Sequence, residues 1–474
     1  MSVTPWHILA WSLWPLWLGM VAVCMIQTRK FSRRLRQADR PGFDDFRPPA
    51  VVFVPFKGLD PEATANLHGL LNLDYPTFRL ILIVESEDDP AYAFLCEEVD
   101  KAPMVWADVV VAGPASAYTG QKVHNLLAGI AHAEATDGGD PETASTYGPQ
   151  RAWVFADSDA IPDADWLGHL VGPLGRHERT VVTTGYRWFV PPRGPVTHWN
   201  TAAQWASGIN AGVATFASHE WFRFAWGGSM AVLRSTAIEG GLTARWQGAL
   251  SDDYQMTRMA RAVRKAHRAR PEHGTPPPGD PRLLFVPECL VESPINFTTG
   301  QLFEFGVRQY RITKTHVPRL FWGALAALSI YLAAVGLAWG WLIVGVAVGS
   351  WWMAGASFAA LLIAFALNQH RSATRRETIR TLFGNGTYDR LVAVHAWDRW
   401  LPELFVAVNW TMIAAAAWGR TITWRGKRYR MRGPQRIERL DAGADAPPVT
   451  PETSETGVST EQSAEPVLQS SKAD

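Results

Sequence analysis

An α/β domain with a mostly parallel sheet, set between N-terminal and C-terminal membrane helices, is the fold class that this 474-residue sequence predicts. Three observations predict it. Residues 48–318 alternate short β-branched apolar runs with polar helix-like ones, the pattern of βαβ units. Residues 5–26 and 320–368 are uncharged apolar stretches long enough for one span and for two. A basic run follows each of them, TRKFSRRLR after the first and HRSATRRETIR after the second.

The elements follow in order. Residues 5–26 read as a retained membrane helix, because a cleaved leader would carry its charges before the apolar run. Residues 27–47 read as a basic juxtamembrane linker. Within 48–318, AVVFVPF, FRLILIVES, RAWVFADSD and TVVTTGYRW are strand-like, and PEATANLHGLLNL is helix-like. Two Gly/Pro-rich polar stretches, 134–150 and 263–282, read as surface insertions. Residues 320–368 form a helical hairpin in the membrane and return to a basic cytoplasmic loop, 369–399. The apolar segment 400–419 is either a third span or an interfacial helix, since the basic segment 420–440 after it opposes a single crossing. The tail 441–474 has no aromatic residue and reads as disordered.

Composition narrows the partners. A net charge of +1, from 45 basic and 44 acidic residues, looks neutral, but the tail holds seven acids and one lysine, which leaves +7 on the rest. That positive charge borders apolar runs, so the expected surface partner is a lipid bilayer and not a nucleic acid. Three well-separated cysteines, Cys24, Cys96 and Cys289, give neither a disulfide framework nor a zinc site, and point to a reducing compartment.

The acids of the soluble domain are grouped. Glu85, Glu87, Asp88 and Asp89 follow one strand, Asp157 and Asp159 another, and Asp252 and Asp253 open a helix. Carboxylates at the C-terminal ends of strands lie where open α/β sheets bind ligands. Taken singly, Asp88-Asp89-Pro90 and Asp252-Asp253 read as helix caps. Asp157-Ser158-Asp159 differs, since two carboxylates one residue apart suit a divalent cation, Mg²⁺ or Mn²⁺, completed by substrate phosphates. Arg308 and Arg311, three apart on a helix, offer a cationic face for a diphosphate or a juxtamembrane anchor.

With FKGLDPEATANLHGLLNLDYP, ESEDDPA, GQKVHN, DSD, GGSMAVLR, SDDYQM, RQYRITK and TWRGKRYRMR in this order, the chain resembles ceramide glucosyltransferase and its bacterial relatives, including hopanoid-biosynthesis glycosyltransferases. The resemblance runs from the first membrane helix to about residue 435, without the two insertions. It implies an inverting family 2 enzyme with a GT-A catalytic domain and membrane helices. By motif, it implies nucleotide-sugar binding at Asp89, Lys122, Asp157, Arg308 and Arg311, metal binding at Asp157 and Asp159, and Asp253 as the base, with Asp252 second. One departure stands out: Ile312 occupies the position of the motif's usual Trp.

The implied reaction moves a hexose from a UDP-sugar, UDP-glucose first among them, to a lipid hydroxyl such as ceramide, on the cytoplasmic side of the membrane. A hopanoid acceptor with N-acetylglucosamine or another sugar is the alternative. A processive polysaccharide synthase would want more helices, and a catalytically silent scaffold would have lost an acidic group. Trp188, Trp199, Trp205, Trp221 and Trp226 suggest an amphipathic acceptor surface, with core packing as the ordinary reading.

Overall fold

The structure is a computed structural model that describes residues 5–36, 46–60, 62–137, 151–159, 161–176, 180–192, 200–217, 219, 222–269 and 282–441. The expected tail, most of the two insertions, Trp199 and Trp221 lie outside these residues.

Helix α1 (Pro5–Arg36) runs unbroken through the basic segment expected to be a linker. Arg and Lys are good helix formers, and Arg33, Arg34 and Arg36 in the last turn complement the helix dipole. Phe31 and Leu35 then bury that end against the soluble domain.

The sheet is built from β1 (Ala50–Pro55), β2 (Phe78–Val84), β3 (Ala107–Val111), β4 (Ala152–Ala156), β5 (Thr180–Val190), β6 (Ser229–Leu233) and β7 (Arg282–Pro294). Their order is β3-β2-β1-β4-β6-β5-β7. The first four are parallel, β6 is antiparallel to both neighbours, and β5 and β7 run parallel. The central strands are apolar throughout because both faces are covered. Val52, Val54, Leu80 and Leu82 face one layer with Leu67, Leu95 and Trp166. Their alternates Val51, Phe53, Ile81 and Ile83 face the other with Leu126, Ile130 and Met256. The covering helices are α2 (Ala63–Leu71), α3 (Pro90–Asp100), α4 (Gln121–Asp137), α5 (Trp166–Val171), α6 (Thr201–Ala217), α7 (Arg234–Glu239), α8 (Leu242–Trp246) and α9 (Asp252–Ala269).

Helix α10 (Thr299–His316) opens with a capping box between Thr298 and Gln301. Pro318 then starts α11 (Pro318–Ala347), and α12 (Trp351–Arg390) returns. With α1, these are the three described helices long and apolar enough to cross a membrane. They pack through small residues, Ala334, Ala338, Ala360 and Ala364, and through edge-on pairs of Trp14 with Trp341 and Trp17 with Tyr331.

The segment expected as a cytoplasmic loop is helical instead. Helix α12 continues to Arg390, with a non-helical kink at Gly384, and α13 (Val392–Trp400) follows. Buried Asp398 holds Arg371 at 3.0 Å and Arg375 at 2.8 Å, which lets these charges sit in a helical interface. Helix α14 (Pro402–Ala416) has 15 residues, about 22 Å at 1.5 Å per residue, short of a hydrocarbon core of about 30 Å. Both its neighbours in sequence touch the soluble domain: α13 packs on α6, and the strand after α14 packs on α10.

Residues 420–440, expected as a juxtamembrane segment, form an antiparallel sheet of β8 (Thr421–Trp424), β9 (Lys427–Gly433) and β10 (Arg436–Arg439). Ile422, Tyr429, Met431 and Ile437 alternate with arginines and form a core with Leu250 and Ile312. This packing is what Ile312 does in place of the expected Trp.

Candidate functional site

A cavity of about 610 Å³ opens at the C-terminal ends of β1, β2 and β4. The strands deliver its floor. Lys57 follows β1, Glu85 follows β2, and Asp157 and Asp159 follow β4. Lys122 rises from the first turn of α4, Arg187 from β5 and Arg308 from α10.

Lys122 Nζ bridges Asp157 Oδ1 at 2.6 Å and Asp252 Oδ2 at 3.0 Å. Burial works against the ammonium charge, but the two carboxylates outweigh it and hold the lysine above its ordinary value. Gly227 makes this approach possible: a Cβ there would stand 2.2 Å from Asp252 Oδ2 and 2.8 Å from Lys122 Nζ. Asp157 resists the upward push of burial through Lys122 and Arg187, and stays below the usual carboxylate range. Asp159 is pushed up by burial and by the charge of Asp157. Its Oδ1 is buried without a hydrogen-bond partner, and Arg187 lies 3.7 Å from Oδ2. Two carboxylates of the cavity lining, one with a buried oxygen that has no hydrogen-bond partner, fit a hard divalent cation. Among the described residues no cluster of three or more such side chains is present, so substrate oxygens and water would complete the set.

Asp89 caps α3 and does not line the cavity. Its Oδ1 accepts from Gly58 N at 2.8 Å and Ala91 N at 3.1 Å, while Oδ2 lies 3.2 Å from Lys57 Nζ. Burial raises its pKa, but these donors prevail and hold it below the ordinary value. Asp89 therefore reaches the cavity through Lys57.

Asp253 also stands behind the lining residues. Its Oδ1 accepts from Ser251 Oγ and from Tyr254 N at 2.6 Å, leaving Oδ2 to take a proton. Burial first, then the charge of Asp252, pushes its pKa up to about 6, against the pull of Ser251, Lys122 and Tyr254 N. Asp252 is 3% exposed and tied to Lys122.

The two arginines of α10 part company. Arg308 faces the cavity, over the rings of Phe305 and Trp424, with Nη1 3.4 Å from Thr423 O. Arg311 is not in the lining; it donates to the carbonyls of Thr421 and Trp418 and so holds β8 to α10.

Several cavity residues escape the sequence reading, among them Lys57 after β1 and the four named next. Arg187 was hidden inside a strand, and Trp424, Arg425 and Lys427 were hidden in a segment read as membrane-facing. Lys427 Nζ reaches Glu85 at 2.5 Å and Gln121 Oε1 at 3.0 Å. The signal was available in TWRGKRYRMR, whose alternating rows around Arg-Gly mark a hairpin. Of the tryptophans, Trp188 is buried against Phe383 and Trp226 lies beside Arg187 and Tyr186, so packing accounts for both.

An open α/β sheet with carboxylates and cations gathered at its strand ends is the arrangement in which such folds bind a charged ligand. Residues 14–270, more than half of the chain, match the model of glycosyl transferase family 21, and the chain belongs to that family. A ceramide glucosyltransferase of Komagataella phaffii is 35% identical over 104 residues, which cover 21% of this chain and 20% of that protein. Among solved structures, the chain is similar to the mannosyltransferase PcManGT of Pyrobaculum calidifontis in complex with GDP-Man and Mn²⁺, at 15% identity and TM-score 0.41 over 85% of this chain and 97% of that one. It is also similar to S. aureus TarS 1–349 in complex with UDP-GlcNAc, at 11% identity and TM-score 0.32 over 81% and 96%. These scores are too low to carry an argument, and the assignment rests on the family match.

Proposed function

We propose that the protein is a membrane-bound inverting glycosyltransferase that moves a hexose from a UDP-sugar, UDP-glucose in the first instance, to the hydroxyl of a membrane lipid such as ceramide. The observation that carries this reading is a cavity with two unlike parts. Carboxylates and lysines lie at its strand-end floor, while Phe189, Ile295, Phe297 and Phe305 form an apolar part of the lining that packs with Val408 and Met412 of α14, with Arg187 and Arg308 lying over its rings. A charged donor and an apolar acceptor suit those parts respectively.

In the proposed step the acceptor oxygen attacks the anomeric carbon from the face opposite the diphosphate. Asp253, just behind the lining, would receive the hydroxyl proton through one intervening water as the new C–O bond forms. The bond from the anomeric carbon to the phosphate oxygen breaks, and its electron pair leaves with UDP, inverting the configuration. Arg187 and Arg308 stabilise the charge that develops on the leaving group. Lys122 fixes Asp157 toward the same space. A divalent cation held by Asp157 and Asp159 would neutralise the diphosphate when bound. The basic ends of α1 and α12 support a catalytic domain on the cytoplasmic side, by the positive-inside tendency. A hopanoid acceptor uses the same chemistry.

The test is purified full-length protein in detergent with Mn²⁺, offered UDP-glucose, UDP-N-acetylglucosamine or UDP-galactose with ceramide or a hopanoid, and products read by mass spectrometry. The expected product is β-glucosylceramide, abolished by EDTA. Transfer to soluble sugars in preference to either lipid would sink the reading.

A further inference from the structure

Arg425 sits at the tip of the β8–β9 hairpin with φ 47°, and it is the one non-glycine with positive φ among the described residues. With Gly426 at φ 80° it forms a two-residue turn whose usual first residue is Asn, Asp or Gly. A non-glycine residue held at positive φ is strained, and such strain concentrates at ligand clamps. The sheet that carries the turn is firmly seated. Arg311 and Lys314 of α10 donate to carbonyls of residues 416–421, Gln255 Nε2 donates to Pro434 O at 2.8 Å, and Arg439 N donates to Ala117 O at 2.7 Å.

What that sheet presents to the cavity is cationic. Arg425 lines it with Arg187 and Arg308; burial first, and then the nearby charges of Arg187 and Arg425 against that of Glu304, depress the pKa of Arg308. Asp159 lies 3.7 Å from Arg187 and Asp60 pairs with Arg425, and three guanidiniums around one space can also take up a multiply charged anion there. The described ion pair of Arg425 is with Asp60, at 3.2 and 3.4 Å, and the arginine side chain is 48% exposed, so the pair can open. Lys57, Lys122 and Lys427, by contrast, are each held by shorter contacts to carboxylates.

We infer that Arg425 is a diphosphate ligand of the donor site, exchanged from Asp60 to the leaving group when the nucleotide enters. Arg311 is then a positioning residue that acts through β8, and Arg425 with Arg308 forms the cationic clamp. Arg425 gives the clamp a planar, bidentate donor suited to phosphate oxygens. The inference rests on the proposed use of a nucleoside diphosphate sugar.

Calorimetric titration of the full-length protein with Mn²⁺ and UDP, GDP or inorganic pyrophosphate tests it. Arg425→Gln is expected to weaken UDP binding at least tenfold with an unchanged unfolding midpoint, and Arg425→Lys to recover part of the loss. Asp60→Asn is expected to tighten UDP severalfold, because it removes the competing carboxylate. Arg425→Gln binding UDP as wild type does, or Asp60→Asn weakening it as Arg425→Gln does, would overturn the inference and make the pair a structural brace. A wild type that takes GDP but not UDP sinks the choice of donor and leaves Arg425 to be judged on GDP. A wild type that takes none of the three overturns both readings.

Discussion

At the scale of the residue, the two neighbouring aspartates that open α9 have opposite fates. Asp252 is buried against Lys122 at 3.0 Å, while Asp253 keeps one oxygen for a proton and is pushed up to about 6. The groups that face Asp253 are Asp252, Lys122, Ser251, Tyr254 and, across from α9, Tyr186. A base is active when deprotonated, so kcat/KM is expected to fall as pH drops through about 6 and to level off above it. Asp253→Asn should lower kcat by roughly 10²- to 10⁴-fold with little change in donor KM, measured in the steady state. The pairing of Asp157 with Asp159 was legible because both follow one buried strand. The inequality of Asp252 and Asp253 was not, because it depends on Lys122, which arrives from another helix.

At the scale of the element, α3 depends on Asp89 for its start. Asp89→Ala removes the cap on Ala91 N, the acceptor of Gly58 N in the loop after β1 and the partner of Lys57, and should cost about 1 kcal/mol for the cap alone, read from denaturant unfolding. Its depressed pKa fixes the sign of the pH effect. The contribution is complete above the unfolded carboxylate's pKa and is lost as pH falls through the lower folded value. This cap was visible in Asp-Pro, and so were the strands, whose apolar runs leave little choice. The small sheet of β8 to β10 was harder to see. Its arginines outnumber its apolar residues, and Ile422, Tyr429, Met431 and Ile437 make a core only with Leu250 and Ile312 from distant elements.

At the scale of the whole molecule, catalytic and membrane parts are joined by buried charge as well as by apolar contact. Asp398 neutralises Arg371 and Arg375 between α12 and α13, and Arg390 pairs with Glu292 on β7. Asp398→Asn leaves two buried guanidiniums without a counter-charge and should cost about 3–5 kcal/mol, seen as a lowered unfolding midpoint in detergent. The length of α12 could not be read from hydropathy, since its last turns are polar and are helical only because this network receives them. The order of the chain has a further effect. Because β8 to β10 follow α11 and α12, a ribosome delivers one wall of the cavity only after the membrane hairpin has been made. At about 5–20 residues per second, the catalytic domain waits several seconds for that wall. A nascent chain therefore lacks that wall of the cavity until its membrane hairpin has been made.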